Sequence, residues 1–386
     1  MKIYSLDSIR KIFLLPLAFF LRFLGRFYFR KKRGRAIVVF YTGKLGDMVC
    51  LTPILEALKD NDREAKLIVC ARSKFLDIWR NNPFIDEKIG FVHEREAGGV
   101  KWLLKQWRFL SRFEIAAYFN LVNNFEGGIL GLTLPALKSY LVTTRLDGRL
   151  SRLLYPYYST KDYKFDRPIK EFYFELLREA GFSVKNKSNR LFFPDVCQEA
   201  DDFSRLNSLS GRTVVGIVIS SGKDYKVWPK DYWIKLIQKI HAEYQSVFLL
   251  FGLQEEEEYL EQIRRATGGE IHLILGKNLD ILPYYLKKCH LFISVDTGLL
   301  YIADALSVPV VDILGPCDDN NQRPENNYRL VTDRQVCRPQ CRMLYNADIN
   351  IAEVRACFSA ITPDQVLNAC RELLPPPHSE VAVKNH

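Results

Sequence analysis

Three short polar stretches of this chain hold the residue types that could do chemistry, and each directly follows an apolar run. Thr42-Gly43-Lys44-Leu45-Gly46-Asp47 comes after AIVVFY at Ala36–Tyr41. A carboxylate at a helix start is favoured by the unpaired N–H groups and the dipole, so taken alone Asp47 reads most simply as a cap. The carboxyl end of a strand also suits a general base, and that second reading stays open. Ser220-Ser221-Gly222 follows TVVGIVI at Thr213–Ile219, and Lys223 and Lys226 come next, before Trp228-Pro229. Small hydroxyl residues and a glycine leave backbone N–H groups accessible, and lysines add positive charge, which together make a phosphate or oxyanion cradle. The plain alternative for each lysine is solvated loop charge. Ser294-Val295-Asp296-Thr297-Gly298 ends LFISV at Leu291–Val295 and opens a helix from Leu299. There the Thr297 and Gly298 N–H groups could receive a diphosphate, with Asp296 as a cap on the plainer reading.

Other chemistries find less support. No Gly-Lys-Ser/Thr closes a Walker spacing and no strand–helix turn carries the full dinucleotide glycine fingerprint, which disfavours a dinucleotide oxidoreductase. Cys337, Cys341 and Cys357 match no zinc spacing, and no metal site is expected. None of the six His falls in a ligand or triad pattern; His93 and His290 read as strand-end residues. In GLQEEEE, Gly252–Glu258, either Gln254 or Glu255 touches a nucleotide ribose or, more simply, the glutamates are the solvated start of a helix.

The elements that must position these stretches alternate. Ala36–Tyr41, Lys66–Cys70, Ile85–Phe91 and Glu114–Phe119 read as strands with helical stretches between them. After a polar tract at Ser183–Ser210 the pattern restarts with Thr213–Ile219, Val247–Phe251, Ile271–Leu275, Leu291–Val295 and Pro309–Leu314. The expected fold class is α/β, two doubly wound domains facing a cleft, with a linker near residues 184–211. Ligands in such sheets bind beyond the carboxyl ends of the strands, which directs attention to Asp47, Ser221 and Asp296 as strand ends facing one inter-domain region.

The chain has 386 residues, 48% hydrophobic and 26% charged, with a formal net charge of +10. That composition excludes a disordered or multi-spanning protein. Met1–Arg35 holds ten basic residues and one acid, so Ala36–His386 is nearly neutral and a nucleic-acid partner loses its main support. Within the first segment, Ile9–Phe29 is rich in Phe and Leu but interrupted by Lys11, Arg22 and Arg26, and Arg30-Lys31-Lys32-Arg33 follows. The longest uninterrupted apolar run, Ile12–Leu21, contains Pro16 and is too short to span a bilayer, and no small-residue cleavage site follows. Two readings remain: a helix lying in the interface of an anionic membrane, or one docked on the protein's own surface. On the membrane reading Ala36 is expected to begin an otherwise complete body, whereas a truncated body that fails to fold would point to docking. Nine cysteines without a short-spaced framework, in a chain retained in the cell, point to reduced thiols.

Three motifs carry a resemblance. GKLGDMVCLTPILEAL, KVWPKDYWIKLI and SVDTGLLYIADALSVPVVDILGP, in that order and spacing from Ala36 to about residue 370, resemble glycosyltransferase family 9, the lipopolysaccharide heptosyltransferases. The resemblance implies a GT-B fold of two Rossmann-like domains, residues 36–195 for the acceptor and 196–386 for the nucleotide-sugar donor; residues 1–35, which their own composition reads as a basic amphipathic membrane-association segment, are an addition to it. It implies Asp47 as the base beside Gly46 on the acceptor side, and Lys226 as the residue holding the donor diphosphate. Ser220, Ser221, Gly222, Asp296, Thr297, Gly298 and Leu299 fall at donor-binding positions. It further implies inverting transfer from a nucleotide-diphosphate donor such as ADP-heptose to a lipid-linked saccharide, without an essential metal, on the inner face of the cytoplasmic membrane. The chain departs from the pattern at Tyr301, where His is common, at Ser220-Ser221, where Pro-Gly is usual, and in its first segment. The competing hypothesis is an inert, membrane-bound nucleotide-binding scaffold with the same fold.

Overall fold

In the computed structural model, which describes residues 6–27, 33–91, 99–122, 124–145, 147–221, 226–315, 322–336 and 351–376, the chain divides into two units, Met1–Phe192 and Phe193–His386. Each is built on a six-stranded sheet whose paired strands all run parallel.

In the first unit the strands are β1 Arg35–Phe40, β2 Lys66–Arg72, β3 Glu87–Phe91, β4 Glu114–Asn120, β5 Lys138–Thr144 and β6 Ser159–Tyr163, in the order β3-β2-β1-β4-β5-β6. β1 is buried from Ala36 to Phe40 on both faces, which is why it reads as an unbroken apolar run rather than an alternating one. Phe40 pairs with Cys70 on one side and Asn120 on the other. The chain leaves β1 and its neighbour β4 toward opposite edges, so the ends of these two strands form the topological switch point.

The second unit repeats the plan with β7 Val214–Val218, β8 Val247–Gly252, β9 Ile271–Leu275, β10 Leu291–Val295, β11 Val310–Ile313 and β12 Tyr328–Val331, in the order β12-β11-β10-β7-β8-β9. Its switch point lies between β7 and β10, which pair from Val215–Leu291 to Val218–Ser294. Trp228, fully buried, anchors the segment after β7 in the core and donates from Nε1 to the Ile361 carbonyl at 2.8 Å.

The first helix, Leu6–Phe27, is part of the first unit's core. Leu14, Ala18 and Leu21 are buried in one cluster with Leu103, Trp107, Leu110 and Ile129. Trp107 donates from Nε1 to the Leu21 carbonyl at 2.9 Å. Gly25 lets the helix approach closely, since a Cβ there would lie 3.3 Å from Ser111 Oγ and from Trp107 Nε1. A body beginning at Ala36 is therefore not complete: without this helix, apolar side chains of the helices Val100–Leu110 and Phe125–Thr133 would face water. No helix among the described residues is long and apolar enough to cross a membrane.

Candidate active site

In the second unit the segment after β7 and the turn after β10 meet at the switch point. Lys226 Nζ donates to Asp296 Oδ2 at 2.6 Å, and both side chains are mostly buried. The other carboxylate oxygen, Asp296 Oδ1, accepts from the Tyr301 hydroxyl at 3.0 Å. Asp296 is thus clamped from two sides, one cationic and one neutral. The helix Gly298–Ala305 begins two residues further on, with Thr297 as its N-cap, and Thr297 Oγ1 lies 3.1 Å from Ser294 Oγ. Ser221 Oγ donates to the Lys226 carbonyl at 3.2 Å, tying the start of the loop to its end. A lysine ammonium and the first N–H groups of a helix, set at the carboxyl ends of two adjacent strands, can stabilise a phosphate by charge and by hydrogen bonds together.

In the first unit Asp47 is the third residue of the short helix Leu45–Cys50, and its Oδ2 accepts from the Lys44 N–H at 2.7 Å. The capping reading is realised in geometry. The carboxylate is only half buried, and two phenols stand behind it. Tyr41 donates to Tyr173, which in turn donates to the Leu121 carbonyl at 2.8 Å. Burial first, then for each its tyrosine neighbour or Asp47, pushes both phenols well above the ordinary tyrosine value, so they stay neutral donors beside the acid. Gly43 is required by close approach, since a Cβ there would come within 2.4 Å of the Tyr41 ring and 2.7 Å of Asp47 Cβ. From the adjacent strand end, Asn124 caps the helix Phe125–Thr133 through Gly127 N–H at 2.6 Å and donates to Thr42 Oγ1 at 3.1 Å. Gly46, buried, is the second residue of the same short helix as Asp47.

The sequence pattern of glycosyltransferase family 9 (heptosyltransferase) matches residues 147–344, more than half of the chain. The chain is a member of glycosyltransferase family 9. Lipopolysaccharide heptosyltransferase 3 of Escherichia coli is 21% identical over 303 residues, 74% of this chain and 85% of that protein. Among solved structures, the family 9 glycosyl transferase from Veillonella parvula aligns with a TM-score of 0.72 at 20% identity, covering 88% of this chain and 96% of that one. The E. coli ADP-heptose lipopolysaccharide heptosyltransferase II aligns with a TM-score of 0.63 at 18% identity, covering 88% and 98%. At such identities the likeness bears on the fold, which is the α/β GT-B type of two Rossmann-like units.

Within this family 9 transferase, Lys226, Ser221, Asp296 and Thr297 are brought together, and Gly298 and Leu299 lie in the first turn of the adjoining helix. Ser220 precedes them in the same loop, whereas Gly222 and Lys223 lie outside the described residues. Tyr301, noted in the sequence as a departure from the family, is a partner of Asp296; its signal was a hydroxyl one turn into the helix that Asp296 precedes. Asn124 had no comparable signal, since an Asn before a glycine-containing helix reads as a cap. The glutamate run is the start of the helix Glu257–Thr267, where Glu256 Oε2 accepts from the Leu253 N–H at 2.7 Å and Gln254 donates to Glu257. His290 Nδ1 accepts from the Val214 N–H at 3.0 Å at a strand end, while His93, Cys337 and Cys341 lie outside the described residues. Cys357 is buried. Among the described residues no three ligating side chains cluster as a metal site.

Proposed function

We propose that this family 9 member is an inverting glycosyltransferase that moves a heptose or related sugar from a nucleotide-diphosphate donor, ADP-heptose in the first instance, to a lipid-linked saccharide of the lipopolysaccharide core. The observation that carries the donor half is the Lys226–Asp296–Tyr301 cluster beside the start of the helix Gly298–Ala305. Lys226 and the N–H groups of Gly298 and Leu299 receive the diphosphate, with Ser220 and Ser221 in the loop before Lys226 and Gly222 as a further donor contact. As the bond from the anomeric carbon to the diphosphate oxygen breaks, negative charge grows on the leaving group, and this cationic end of the site binds it more tightly than the ground state.

Asp47 takes the proton from the acceptor hydroxyl as its oxygen forms the new bond from the face opposite the leaving group. One oxygen of Asp47 serves the Lys44 N–H and the neutral phenols of Tyr41 and Tyr173 stand behind the carboxylate, an arrangement suited to holding it in one orientation. Because a lysine and a helix start already answer the diphosphate charge, the reaction is expected to need no metal, and transfer should persist in EDTA. Loss of turnover on chelation with recovery on adding magnesium or manganese would refute that part. The acceptor places the work of the protein at the inner face of the cytoplasmic membrane.

The test of the donor reading is a panel of nucleotide-sugars in thermal melting. A ligand that binds only the native protein raises its melting temperature, by about 2.7 kcal/mol of stability at a hundred times its Kd. ADP-heptose should give the largest rise, with a smaller one from ADP; no rise with any nucleotide-sugar would overturn the assignment. An inert scaffold would show the rise without release of ADP on adding acceptor.

A further inference from the structure

The first helix buries one side and leaves the other apolar. Leu14, Ala18, Leu21 and Gly25 face the core of the first unit. On the opposite side of the helix Phe13, Phe20, Phe23 and Phe27 are 72%, 58%, 60% and 66% exposed, and Pro16 lies in the same stripe. Their spacing centres them about 145° from the buried row at 100° per residue, a helix with apolar residues on two sides and two different surroundings. The Phe23 and Phe27 rings touch at 5.1 Å, and Phe19 meets Tyr157 edge-on at 5.0 Å, so the stripe continues onto the neighbouring turn where Leu153 is also exposed. Arg26, exposed, lies to one side of the stripe, and Arg22, half-buried near Tyr158, lies further round toward the core. From Ser8 to Gly46 the sequence contains no Asp or Glu.

We propose that this aromatic stripe and its arginines are a docking surface for an anionic lipid bilayer, with the helix lying in the plane of the interface while its other side stays packed in the first unit. Rings of this kind sit at the boundary of headgroups and acyl chains, and arginines beside them pair with lipid phosphates. A second copy of the chain is the competing occupant, and charge argues against it: a two-fold contact through this stripe would set arginines against arginines with no carboxylate on the segment to answer them. The inference rests on the proposed function only in that a lipid-linked acceptor gives such docking a purpose. The helix is a fixed part of the unit, so the whole protein is held at the surface rather than tethered to it.

The experiment is co-sedimentation of the full chain with vesicles of phosphatidylglycerol and phosphatidylethanolamine, and with vesicles of phosphatidylcholine alone, in the absence of donor and acceptor. The unaltered protein should bind the anionic vesicles and bind phosphatidylcholine much less. Arg22→Gln with Arg26→Gln should lower partition by roughly 25-fold. Phe20→Glu with Phe23→Glu should lower it by about a hundredfold or more. Phe20, Phe23 and Arg26 are exposed and Arg22 is half-buried near Tyr158, so melting temperature checks that each variant is folded; the arginine pair decides the matter if the glutamate pair is not folded. Failure of the unaltered chain to bind, equal binding by the variants, or a dimer in sedimentation velocity that Phe20→Glu with Phe23→Glu dissolves would overturn the proposal. Because no sugar donor is present, these results are independent of whether the transferase assignment holds, which donor melting reports separately.

Discussion

The Lys226 ammonium lies 2.6 Å from Asp296 Oδ2, joining the loop after β7 to the turn after β10 across the switch point of the second sheet. The pair is mostly buried, so its geometry is fixed before any ligand arrives, and the Tyr301 hydroxyl at 3.0 Å holds the carboxylate's other oxygen. In this account Asp296 positions Lys226 and Lys226 meets the diphosphate. Lys226→Ala should weaken ADP binding by about 1.5–3 kcal/mol, the worth of a charged hydrogen bond. Asp296→Ala should weaken it as well, and the double variant should bind no more weakly than Lys226→Ala alone. Calorimetric titration decides: additive losses would mean that Asp296 contacts the donor independently of the lysine.

Tyr301→Phe removes one oxygen's partner from Asp296 while keeping the ring. Donor affinity should fall by about 1 kcal/mol, with little change in melting temperature, because the hydrogen bond orients a carboxylate rather than filling the core. An unchanged Kd for ADP together with an unchanged KM for the donor would show that the hydroxyl is incidental.

Two substitutions separate the roles of Asp47. Asp47→Asn keeps an oxygen that can accept from the Lys44 N–H, whereas Asp47→Ala removes that acceptor and should cost about 1 kcal/mol of stability. Both should lower kcat by about 10²–10⁴ if the carboxylate is the base. Near-normal turnover in the Asn variant, with normal melting, would leave Asp47 as a cap alone.

Three buried phenols and a partly buried one, Tyr158, set an alkaline limit. Tyr41, Tyr118, Tyr158 and Tyr173 all have folded-state values raised, chiefly by burial. The unfolded phenol ionises near pH 10 while the folded one stays protonated, so their contribution is fully present below about pH 10 and is lost as pH rises above it. Denaturant unfolding at pH 8 and at about pH 10.5 should show a lower stability at the higher value, and equal stability at the two would contradict the buried, neutral state of these rings.

Much of this architecture was legible because the central strands are buried on both faces and read as continuous apolar runs: β1, β2, β4, β7, β8, β10 and β11 all fall within a residue or two of the sequence reading, and so does β9, an edge strand that is only partly buried yet apolar in sequence. β5, β6 and β12 did not read as strands. β6, Ser159–Tyr163, is an edge strand whose residues are largely exposed, and β12, Tyr328–Val331, is another with only Val331 buried, so neither carries an apolar run. The site motifs stood out because Gly43, Asp47, Ser221 and Asp296 follow strands directly. The Lys226–Asp296 pair did not, since the partners are seventy residues apart and only the parallel pairing of β7 with β10 brings them together. The double life of the first helix was hidden for a related reason: a row of Leu and Ala and a row of Phe both read as apolar, and the fold alone sorts which row is covered.

The measurement that bears most directly on the central claim is release of ADP from ADP-heptose on adding a lipid-linked core saccharide that lacks heptose, followed for the unaltered protein, for Asp47→Asn and for Lys226→Ala. The account predicts ADP release with transfer of the sugar to the acceptor by the unaltered protein. It predicts the same donor affinity but turnover lower by about 10²–10⁴ for Asp47→Asn. For Lys226→Ala it predicts weaker donor binding and slower transfer. No acceptor-dependent ADP release by the folded, donor-binding protein would contradict it, and so would transfer that proceeds unchanged in both variants.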